Sequence, residues 1–171
     1  MREALDSDLD VLLDCMLDAF NWTGETRFTR AEMLANTHSQ RYLGGWRRPT
    51  DFGFVAHENG EPVGAVWARP LTSTEPGYGY VADDIPEIGM AVSRNHRGRK
   101  IGTELLSACT SRAGETGWNA LSLSVEDGNV AARRLYESVG FVVVGRNGSS
   151  DTMLLYLARR ALHDIPCPPT S

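Results

Sequence analysis

The stretch PEIGMAVSRNHRGRKIGTELL, residues 86–106, decides how this chain folds. Its first part, Glu87 to Val92, is a short, mostly apolar run typical of a strand, and the residues from Ile101 to about Ala113 have the apolar spacing of a helix. The loop between them contains Gly98 and, within seven residues, four cations: Arg94, Arg97, Arg99 and Lys100. The strand, loop and helix together place a helix N-terminus beside a cluster of positive charges.

The basic loop predicts a binding site for phosphate. The first backbone N–H groups of a helix have no partner inside the helix, and the helix dipole favours negative charge at that end. Arg97 or Arg99 can add forked hydrogen bonds to phosphate oxygens. Neither GxxxxGK[ST] nor GxGxxG occurs, which excludes the standard triphosphate and dinucleotide motifs. A solvated loop without a ligand is the alternative interpretation.

Length and composition indicate one globular domain. The chain has 171 residues, of which 42% are hydrophobic, and this is enough for a core that needs no metal or disulfide. We expect the domain to cover residues 1–160 and the proline-rich residues 161–171 to form a frayed tail. The net charge of −5 argues against general binding to nucleic acid or to anionic membranes, because both need many cations on one surface.

The first residues and the lack of a long apolar stretch indicate the cellular location. The start of the chain lacks the basic segment and apolar run of a signal peptide, and no stretch has the length of a membrane span, so we expect a cytoplasmic protein.

The three cysteines are widely separated, which suggests neither a disulfide framework nor a CxxC metal site. The four histidines have no metal-ligand spacing, and we predict no metal.

Two helical segments are expected before the first long strand. Ser7 or Asp8 can cap a helix whose apolar residues recur at helical spacing: Leu9, Leu12, Leu13, Met16, Leu17 and Phe20. Thr29 and Glu32 have the spacing of a capping box, which predicts the start of a second helical stretch. This stretch ends at Gly44-Gly45.

The remaining elements mix strands and helices. Asn59-Gly60 is a strong hairpin-turn signal between strand-like runs at Phe52–His57 and Val63–Arg69. Residues 70–86 are irregular and rich in proline and glycine, and we expect a long functional loop there. After the basic loop and its helix, the pattern predicts four further elements: strand Ala120–Val125, helix Ala131–Ser138, and strands Phe141–Val144 and Thr152–Leu157.

Two segments together, PEIGMAVSRNHRGRKIGTELL and ALSLSVEDGNVAARRLYESVGF, resemble the GCN5-related N-acetyltransferase (GNAT) superfamily, which transfers an acetyl group from acetyl-CoA to an amine. The resemblance is specific from Glu87 to Phe141. The family signature is Arg or Gln, two residues, Gly, any residue, then Gly or Ala, and it aligns with residues 97–102. The resemblance implies a mixed α/β fold with a central, mainly antiparallel, twisted sheet, splayed central strands and helices on both faces.

The resemblance also implies a site for acetyl-CoA along the strand and the basic loop. In the family, the main chain of the strand pairs with the pantetheine arm and steadies the thioester oxygen, while the loop binds the diphosphate. An asparagine matching Asn129 hydrogen-bonds the arm. The implied cofactor-binding residues are Met90, Ala91, Val92, Arg97, Gly98, Arg99, Lys100, Ile101, Gly102, Thr103 and Asn129.

Lys100 stands where the family signature has its middle glycine. Glycine adopts a positive φ at no steric cost, whereas lysine brings a Cβ. In a helical or extended conformation, the N–H of Lys100 could still donate a hydrogen bond, and its ammonium could reach a phosphate.

Two catalytic residues, Tyr136 and Glu87, follow from the same resemblance. The matching tyrosine of the family protonates the departing CoA thiolate, whereas its helix position alone makes Tyr136 a boundary packing residue. The matching glutamate takes a proton from the amine through water, which requires a pKa raised by burial. Asp83 and Asp84 are competing candidates for the base, and a solvated strand terminus is the alternative interpretation of Glu87.

The acceptor site of the family is walled by the first two helices and by the loop before the signature strand. In this chain, those segments contribute Phe20, Asn21, Trp22, Trp46, Tyr78, Tyr80, Asp83 and Asp84. Carboxylates beside aromatic faces suit a cationic amine. The same aromatic side chains could instead close the core.

The resulting prediction is an acetyl-CoA-dependent N-acetyltransferase in which a primary amine attacks the thioester directly in a ternary complex, with a small-molecule amine as the first acceptor class. A peptide or protein amino group is the second acceptor class. A non-catalytic acyl-CoA sensor and a phosphate-binding regulatory module are the rival functions. Homodimer formation is left open by the sequence.

Overall fold

The computed structural model describes residues 1–157, so the tail expected at residues 161–171 lies outside the described residues. Seven strands form one sheet in the spatial order β1-β2-β3-β4-β5-β7-β6. They are β1 (Arg2–Glu3), β2 (Phe52–Glu58), β3 (Glu61–Pro70), β4 (Pro86–Val92), β5 (Ala120–Glu126), β6 (Val142–Asn147) and β7 (Ser150–Tyr156). The α-helices are α1 (Leu9–Phe20), α2 (Arg30–Ala35), α3 (Thr37–Leu43), α4 (Ile101–Glu115) and α5 (Val130–Val139).

The first three helices follow the capping signals of the sequence only in part. The predicted capping box is confirmed at α2, where the Thr29 hydroxyl accepts from the Glu32 N–H and the Glu32 carboxylate accepts from the Thr29 N–H. Asp8 precedes α1, but its carboxylate binds Arg2 and the Leu5 N–H and does not cap the helix. Asn36 ends α2 and caps α3 through its side chain, a division that the sequence pattern did not indicate.

The sheet is antiparallel except at its centre. The predicted hairpin is confirmed, because β2 and β3 pair around Asn59 and Gly60, which both have positive φ. β3 and β4 pair along their whole common length. β4 and β5 run parallel and share a single pair of opposed residues, Glu87 and Ser122, after which they separate. The mainly antiparallel sheet with splayed central strands is thus confirmed.

Helices cover both faces of the sheet, as expected, and each face has its own core. Along β3, Val66 and Ala68 face one core while Ala65 and Trp67 face the other, as strand alternation requires. The first core, under α4 and α5, includes Leu105, Leu106, Leu121, Leu123 and Phe141. The second core, under α1, α2 and α3, includes Leu12, Met16, Met33 and Leu43.

A buried ion pair fixes α3 against β3. The Arg69 side chain is 1% exposed, and its Nη2 lies 2.5 Å from Oδ2 of the buried Asp51. Its Nη1 donates to the carbonyls of Arg41 and Gly44, at the C-terminal end of α3. Because all of these groups are paired, the buried charge is compensated, and α3 is held where Tyr42 projects towards β4.

The cysteines in the described range are structural. Cys15 and Cys109 lie in the two cores, and burial raises the pKa of each thiol to about 12, so both are protonated near neutral pH. Within residues 1–157, no three His, Cys, Asp or Glu side chains gather as metal ligands. None of the helices in this range combines the length and the apolar character needed to cross a membrane.

Candidate active site

A cavity of about 740 Å³ opens where β4 and β5 separate. We distinguish two walls. The backbone wall consists of Ile88–Val92 on β4 and of Gly98–Thr103 in the basic loop and the first turn of α4. The side-chain wall consists of residues whose side chains carry the chemistry: Phe20, Trp22, Arg27, Phe28, Tyr78, Glu87 and Tyr136.

The strand part of the backbone wall is paired on one side only. Beyond Glu87, the residues from Ile88 to Val92 pair with β3, and no residue of β5 opposes them. Met90 and Val92 pack their side chains against the core under α4 and α5, and Ala91 is buried in the other core. Main-chain groups of this strand that point towards β5 are therefore available to a ligand in the cavity.

The loop part of the backbone wall contains a run of free donors. Six successive N–H groups, from Gly98 to Thr103, have no hydrogen-bond partner within residues 1–157. The first backbone bond after them is the one from the Glu104 N–H to the Lys100 carbonyl, inside the first turn of α4. All of these residues except Arg99 line the cavity. Such a run at a helix N-terminus favours an anionic ligand.

Lys100 has a left-handed backbone conformation, with φ 66° and ψ 1°. The condition considered for the sequence, a helical or extended backbone at Lys100, is therefore not met. Glycine adopts this conformation at no steric cost, whereas a residue with a Cβ adopts it at a cost of about 1 kcal/mol. Lys100 lines the cavity, so the departure from the signature places a cation at the site.

The two arginines of the signature region have different surroundings. Arg97 lines the cavity, and its Nε donates to the Val92 carbonyl at 3.1 Å. Arg99 does not line the cavity, because its guanidinium forms a two-pronged ion pair with Glu58 at the end of β2. Arg99 lowers the pKa of Glu58, and His96 also binds this carboxylate. The forked contact expected from Arg99 is thus made to Glu58.

Glu87 lies at the one position where β4 is paired on both sides. It is 2% exposed, and burial raises the pKa of its carboxyl to about 7. Oε1 accepts hydrogen bonds from the Tyr42 hydroxyl and the Gly79 N–H, both at 2.8 Å. The interpretation of Glu87 as a solvated strand terminus is therefore wrong. The competing candidates Asp83 and Asp84 are exposed and do not line the cavity.

Tyr136 and Asn129 both come from α5 and its cap. Tyr136 is 8% exposed, packs against Phe141 and has a pKa raised to about 12 by burial. Within the described range, its hydroxyl has no hydrogen-bond partner, although the residue lines the cavity. Asn129 caps α5, since its Oδ1 accepts from the Ala132 N–H. The cap leaves the Nδ2 of Asn129 as the group that can donate to a ligand.

The side-chain wall is tied across the cavity to β5. Glu126, at the end of β5, accepts a hydrogen bond from the Trp22 indole at 2.7 Å and a two-pronged ion pair from Arg27. Phe20 and Phe28 meet edge to face with 6.0 Å between ring centroids. The segment between α1 and α2 is thereby fixed over the opening between the strands.

The acceptor-wall residues expected from the sequence divide into two groups. Phe20, Trp22 and Tyr78 line the cavity. The others do not: Asn21, Trp46, Tyr80, Asp83 and Asp84. Trp46 is buried in the core, which confirms the alternative given for these aromatics at that position. Further lining residues were not predicted from the sequence, among them Asp18, Arg27, Phe28, Glu32, Tyr42 and Glu126.

The missed contacts gave no local signal. Arg27 and Glu126 are 99 positions apart, and Tyr42 is 45 positions from Glu87. An acidic residue at the end of a predicted strand, such as Glu126, does not reveal which distant residue it will bind. The fold alone brings these pairs together.

Comparison with known proteins gives distant relatives in sequence and closer ones in fold. "Probable N-acetyltransferase camello" of Xenopus tropicalis is 34% identical over 88 residues, which is 52% of this chain and 37% of the relative. The chain thus matches little more than a third of the length of that curated relative. An N-acetyltransferase from Staphylococcus aureus Mu50 superposes with a TM-score of 0.65 and 21% identity, covering 92% of this chain and 97% of the other.

A second solved structure includes the expected ligand. The yncA protein of Salmonella typhimurium, described with its cofactor acetyl-CoA, has a TM-score of 0.64 and 23% identity and covers 96% of each chain. The profile of the acetyltransferase (GNAT) family matches residues 13–141, which include every lining residue discussed above. The strand opening, the loop with its free donors and this match lead to one conclusion: the chain belongs to the acetyltransferase (GNAT) family.

Proposed function

We propose that this chain transfers the acetyl group of acetyl-CoA to a primary amine of a small molecule, by direct attack within a ternary complex. One observation carries the proposal: the edge of β4 opens at the point where it leads to six free N–H groups, and a buried glutamate and a buried tyrosine line the same cavity. Family membership supports the chemistry.

The residues of the backbone wall fit acetyl-CoA. The N–H groups from Gly98 to Thr103 would hold the diphosphate, with Arg97 and Lys100 as nearby cations. The amides of the pantetheine arm resemble a peptide chain, so the open edge from Met90 to Val92 would pair with them as a neighbouring strand does. The Nδ2 of Asn129 would donate to the same arm. A main-chain N–H of this edge would also stabilise the thioester oxygen as it becomes negative.

Acetyl-CoA supplies an acyl group already activated as a thioester. The lone pair of a neutral amine forms the new C–N bond, and the C–S bond breaks with its electron pair on sulfur. The protein must therefore remove one proton from nitrogen and deliver one to sulfur. Positioning of the two reactants provides much of the remaining acceleration.

Glu87 is the group that removes the proton from nitrogen. Its pKa of about 7 leaves a substantial fraction ionised near neutral pH, and the carboxyl is then basic enough to accept a proton directly or through water. An ordinary carboxyl, with a pKa near 4.5, would be a weaker base. Burial, the first cause of this shift, is thus part of the catalytic design.

Tyr136 is the group that delivers the proton to sulfur. Burial raises its pKa to about 12, so the hydroxyl carries its proton at neutral pH. Because burial disfavours the tyrosinate, Tyr136 recovers a proton from solvent after each turnover, while Glu87 releases one. The two proton transfers then balance, and the products are an amide and the free thiol of CoA.

The side-chain wall favours a cationic acceptor of limited size. Its aromatic faces can contact an ammonium group, and the acidic residues Asp18 and Glu32 line the same cavity. Glu126 does not add to this attraction, because Arg27 neutralises it. The segment fixed over the opening by this ion pair leaves less room for a polypeptide than for a small amine, which places peptide and protein acceptors second.

The test combines binding and turnover. Acetyl-CoA should raise the melting temperature of the protein, and inorganic phosphate at equal concentration should not. A panel of mono-, di- and polyamines, amino acids and short peptides, assayed by release of free thiol, should then contain at least one substrate. Stabilisation by acetyl-CoA with no thiol release from any amine would instead support an acyl-CoA sensor. Stabilisation by phosphate alone would support a phosphate-binding module.

A further inference from the structure

Tyr42 of α3 makes a hydrogen-bonded contact with Glu87 in the wall of the cavity. Tyr42 is 6% exposed, and its Oη lies 2.8 Å from Glu87 Oε1. The same Oη accepts the N–H of Tyr78 at 2.7 Å. The N–H of Gly79 reaches Glu87 Oε1 at 2.8 Å. One amide of the loop between β3 and β4 and one side chain of α3 thus meet at a single carboxyl oxygen, and the neighbouring amide, that of Tyr78, binds the Tyr42 hydroxyl.

The directions of these hydrogen bonds follow from the donors. An amide N–H can only donate, so the Tyr78 N–H occupies a lone pair of Tyr42 Oη. The hydroxyl hydrogen of Tyr42 then points at Glu87 Oε1, the acceptor within its reach in the described range. Since Gly79 donates to the same oxygen, Oε1 receives two hydrogens in both ionisation states. When Glu87 is protonated, its proton must therefore lie on Oε2.

The surroundings of Oε2 are narrow. Oε2 is buried and has no hydrogen-bond partner within residues 1–157. A Cβ built on Gly77 would lie 2.1 Å from Oε2 and 2.7 Å from Tyr42 Oη, so a side chain at this position would displace the network. Glycine at position 77 allows the loop backbone to pack directly against the carboxyl.

We propose that Tyr42 is a positioning residue for Glu87: it holds Oε1 and so leaves Oε2 as the oxygen that carries the proton of the carboxyl group. The inference rests on the proposed role of Glu87 as the base. It adds a residue and a specific oxygen atom that the family signature in residues 97–102 does not indicate. The Arg69–Asp51 pair supports the arrangement because it fixes the end of the helix that carries Tyr42.

Few charged or titratable groups surround Glu87. Arg69 is its cross-strand neighbour on β3, but that guanidinium binds Asp51 and two carbonyls. Ser122 opposes Glu87 on β5 and is neutral. His38 of α3 packs against the Tyr78 ring with centroids 4.1 Å apart, and burial lowers its pKa, which favours the neutral ring. Loss of the Tyr42 hydroxyl therefore changes the titration of Glu87 chiefly through one hydrogen bond.

The direct test is an infrared titration of Tyr42→Phe. The carbonyl stretch of the protonated Glu87 carboxyl is assigned by its loss in Glu87→Gln. It is then followed from pH 5 to pH 9, which is about two pH units on each side of neutrality. A donor to the ionised carboxylate stabilises it, so its removal should raise the midpoint by about one pH unit. An unchanged midpoint would overturn the inference.

The matched control is Tyr80→Phe. Tyr80 belongs to the same loop, but its hydroxyl donates to Asp83 and does not contact Glu87. The Glu87 midpoint should be the same in this variant as in the unsubstituted protein. Equal shifts in both variants would mean that general loosening of the loop, and not the Tyr42 hydrogen bond, sets the titration, and the inference would fail.

A kinetic measurement connects the titration to the reaction. With the best amine from the panel, the acidic limb of kcat/KM should move to higher pH in Tyr42→Phe by the amount seen in the infrared titration. A limb that stays in place while the carboxyl titration moves would show that Tyr42 does not act on the reacting proton. A moved titration in a protein that acetylates no amine supports the positioning role of Tyr42 and overturns the proposed function alone.

Discussion

The backbone wall comes from a single run of sequence, residues 88–103, whereas the side-chain wall is assembled from α1, the segment after it, the loop before β4, β4 itself and α5. The backbone wall offers main-chain groups, which every residue type except proline possesses. The side-chain wall offers particular functional groups. The two walls should therefore respond differently to substitution.

Lys100 illustrates the difference. A lysine stands at the position of the signature glycine, and the loop has a left-handed turn and free N–H groups. Under the proposed function, no comparable exchange is available at Glu87, because the reaction uses both its acid function and its burial. Single side-chain substitutions should thus have large effects at the side-chain wall and small ones at the backbone wall.

The largest effect is expected from Glu87→Gln. Loss of the base should reduce kcat by about a thousandfold, within the usual range for general base catalysis, while the dissociation constant of acetyl-CoA stays unchanged. In the unsubstituted protein, kcat/KM should rise with pH up to about 7, because the carboxyl must be ionised to accept a proton. Stopped thiol-release assays across pH measure kcat and kcat/KM, and calorimetry measures the dissociation constant of acetyl-CoA.

Two outcomes would break this side of the comparison. An activity loss at Glu87→Gln accompanied by an equal loss of acetyl-CoA binding would mean that Glu87 supports the cavity and not the proton transfer. A loss below tenfold would point to another base. Asp83→Asn is the control, since Asp83 is an exposed carboxylate of the neighbouring loop, and it should retain full activity.

The second effect is on stability and has a defined pH window. The folded-state pKa of Glu87 is raised from 4.5 to about 7, so the folded protein binds a proton more tightly than the unfolded chain does. The contribution of Glu87 to stability is therefore highest below about pH 4.5 and is lost as pH rises through about 7, by at most roughly 3 kcal/mol. Glu87→Gln should remove this dependence.

Urea unfolding at several pH values measures this pH dependence of the free energy of unfolding. The free energy of unfolding of Glu87→Gln, relative to the unsubstituted protein, should increase between pH 4.5 and pH 7 and then stay level. Glu58→Gln, a change at a surface ion pair, should show no gain in this window. If the difference in free energy of unfolding between Glu87→Gln and the unsubstituted protein did not change with pH, burial would not destabilise the charged form of Glu87.

Tyr136→Phe should have a smaller effect. We expect kcat to fall about tenfold, less than is usual for loss of a general acid, because a thiolate leaves readily even without a proton. Binding of acetyl-CoA, measured by calorimetry, should change little. Tyr156→Phe, at a residue 72% exposed, is the control and should be neutral. An unaltered kcat in Tyr136→Phe would reduce Tyr136 to the packing residue that its helix position alone suggests.

The smallest effect is expected at the backbone wall, with Lys100→Gly. Glycine should relieve the left-handed strain and raise the free energy of unfolding by about 1 kcal/mol. Loss of the ammonium should weaken acetyl-CoA binding only a few-fold, since the six N–H groups are retained. The two changes have opposite signs, and thermal unfolding and calorimetry separate them.

Lys100→Ala and Asn59→Gly complete the comparison. Lys100→Ala keeps the strained conformation and loses the charge, so it should weaken binding without stabilising the fold. Asn59→Gly changes another left-handed residue, in the β2–β3 turn, and should leave binding unchanged. A loss of binding above a hundredfold in Lys100→Gly would contradict the idea that main-chain donors dominate this wall.

Much of the fold was predictable because its signals are local. The capping box at Thr29, the turn at Asn59-Gly60 and the apolar spacing of α1 and α4 each lie within a few residues, and the structure confirms them. The division of the second helical stretch at Asn36 was missed, because an asparagine within a helical pattern does not reveal whether its side chain caps the next turn.

The site was predictable only where it depends on a continuous segment. The order of strand, loop and helix from Glu87 to Ala113 located the backbone wall. The left-handed conformation of Lys100 was not foreseen, since lysine rarely adopts it, and the pairing of Arg99 with Glu58 depends on a β2 end that the signature does not include. The roles of Tyr42 and Glu126 need the three-dimensional arrangement of segments that are distant in the chain.

The single residue pair between β4 and β5 has a mechanical consequence. The sheet consists of two antiparallel leaves, β1 to β4 and β5 to β7, joined at one rung. Under the proposed function, a bound pantetheine arm lies along the seam as a temporary strand, so the cosubstrate completes the architecture that receives it. Amide hydrogen exchange on the edge of β4 that faces β5 should then be slower with acetyl-CoA bound than in the free protein.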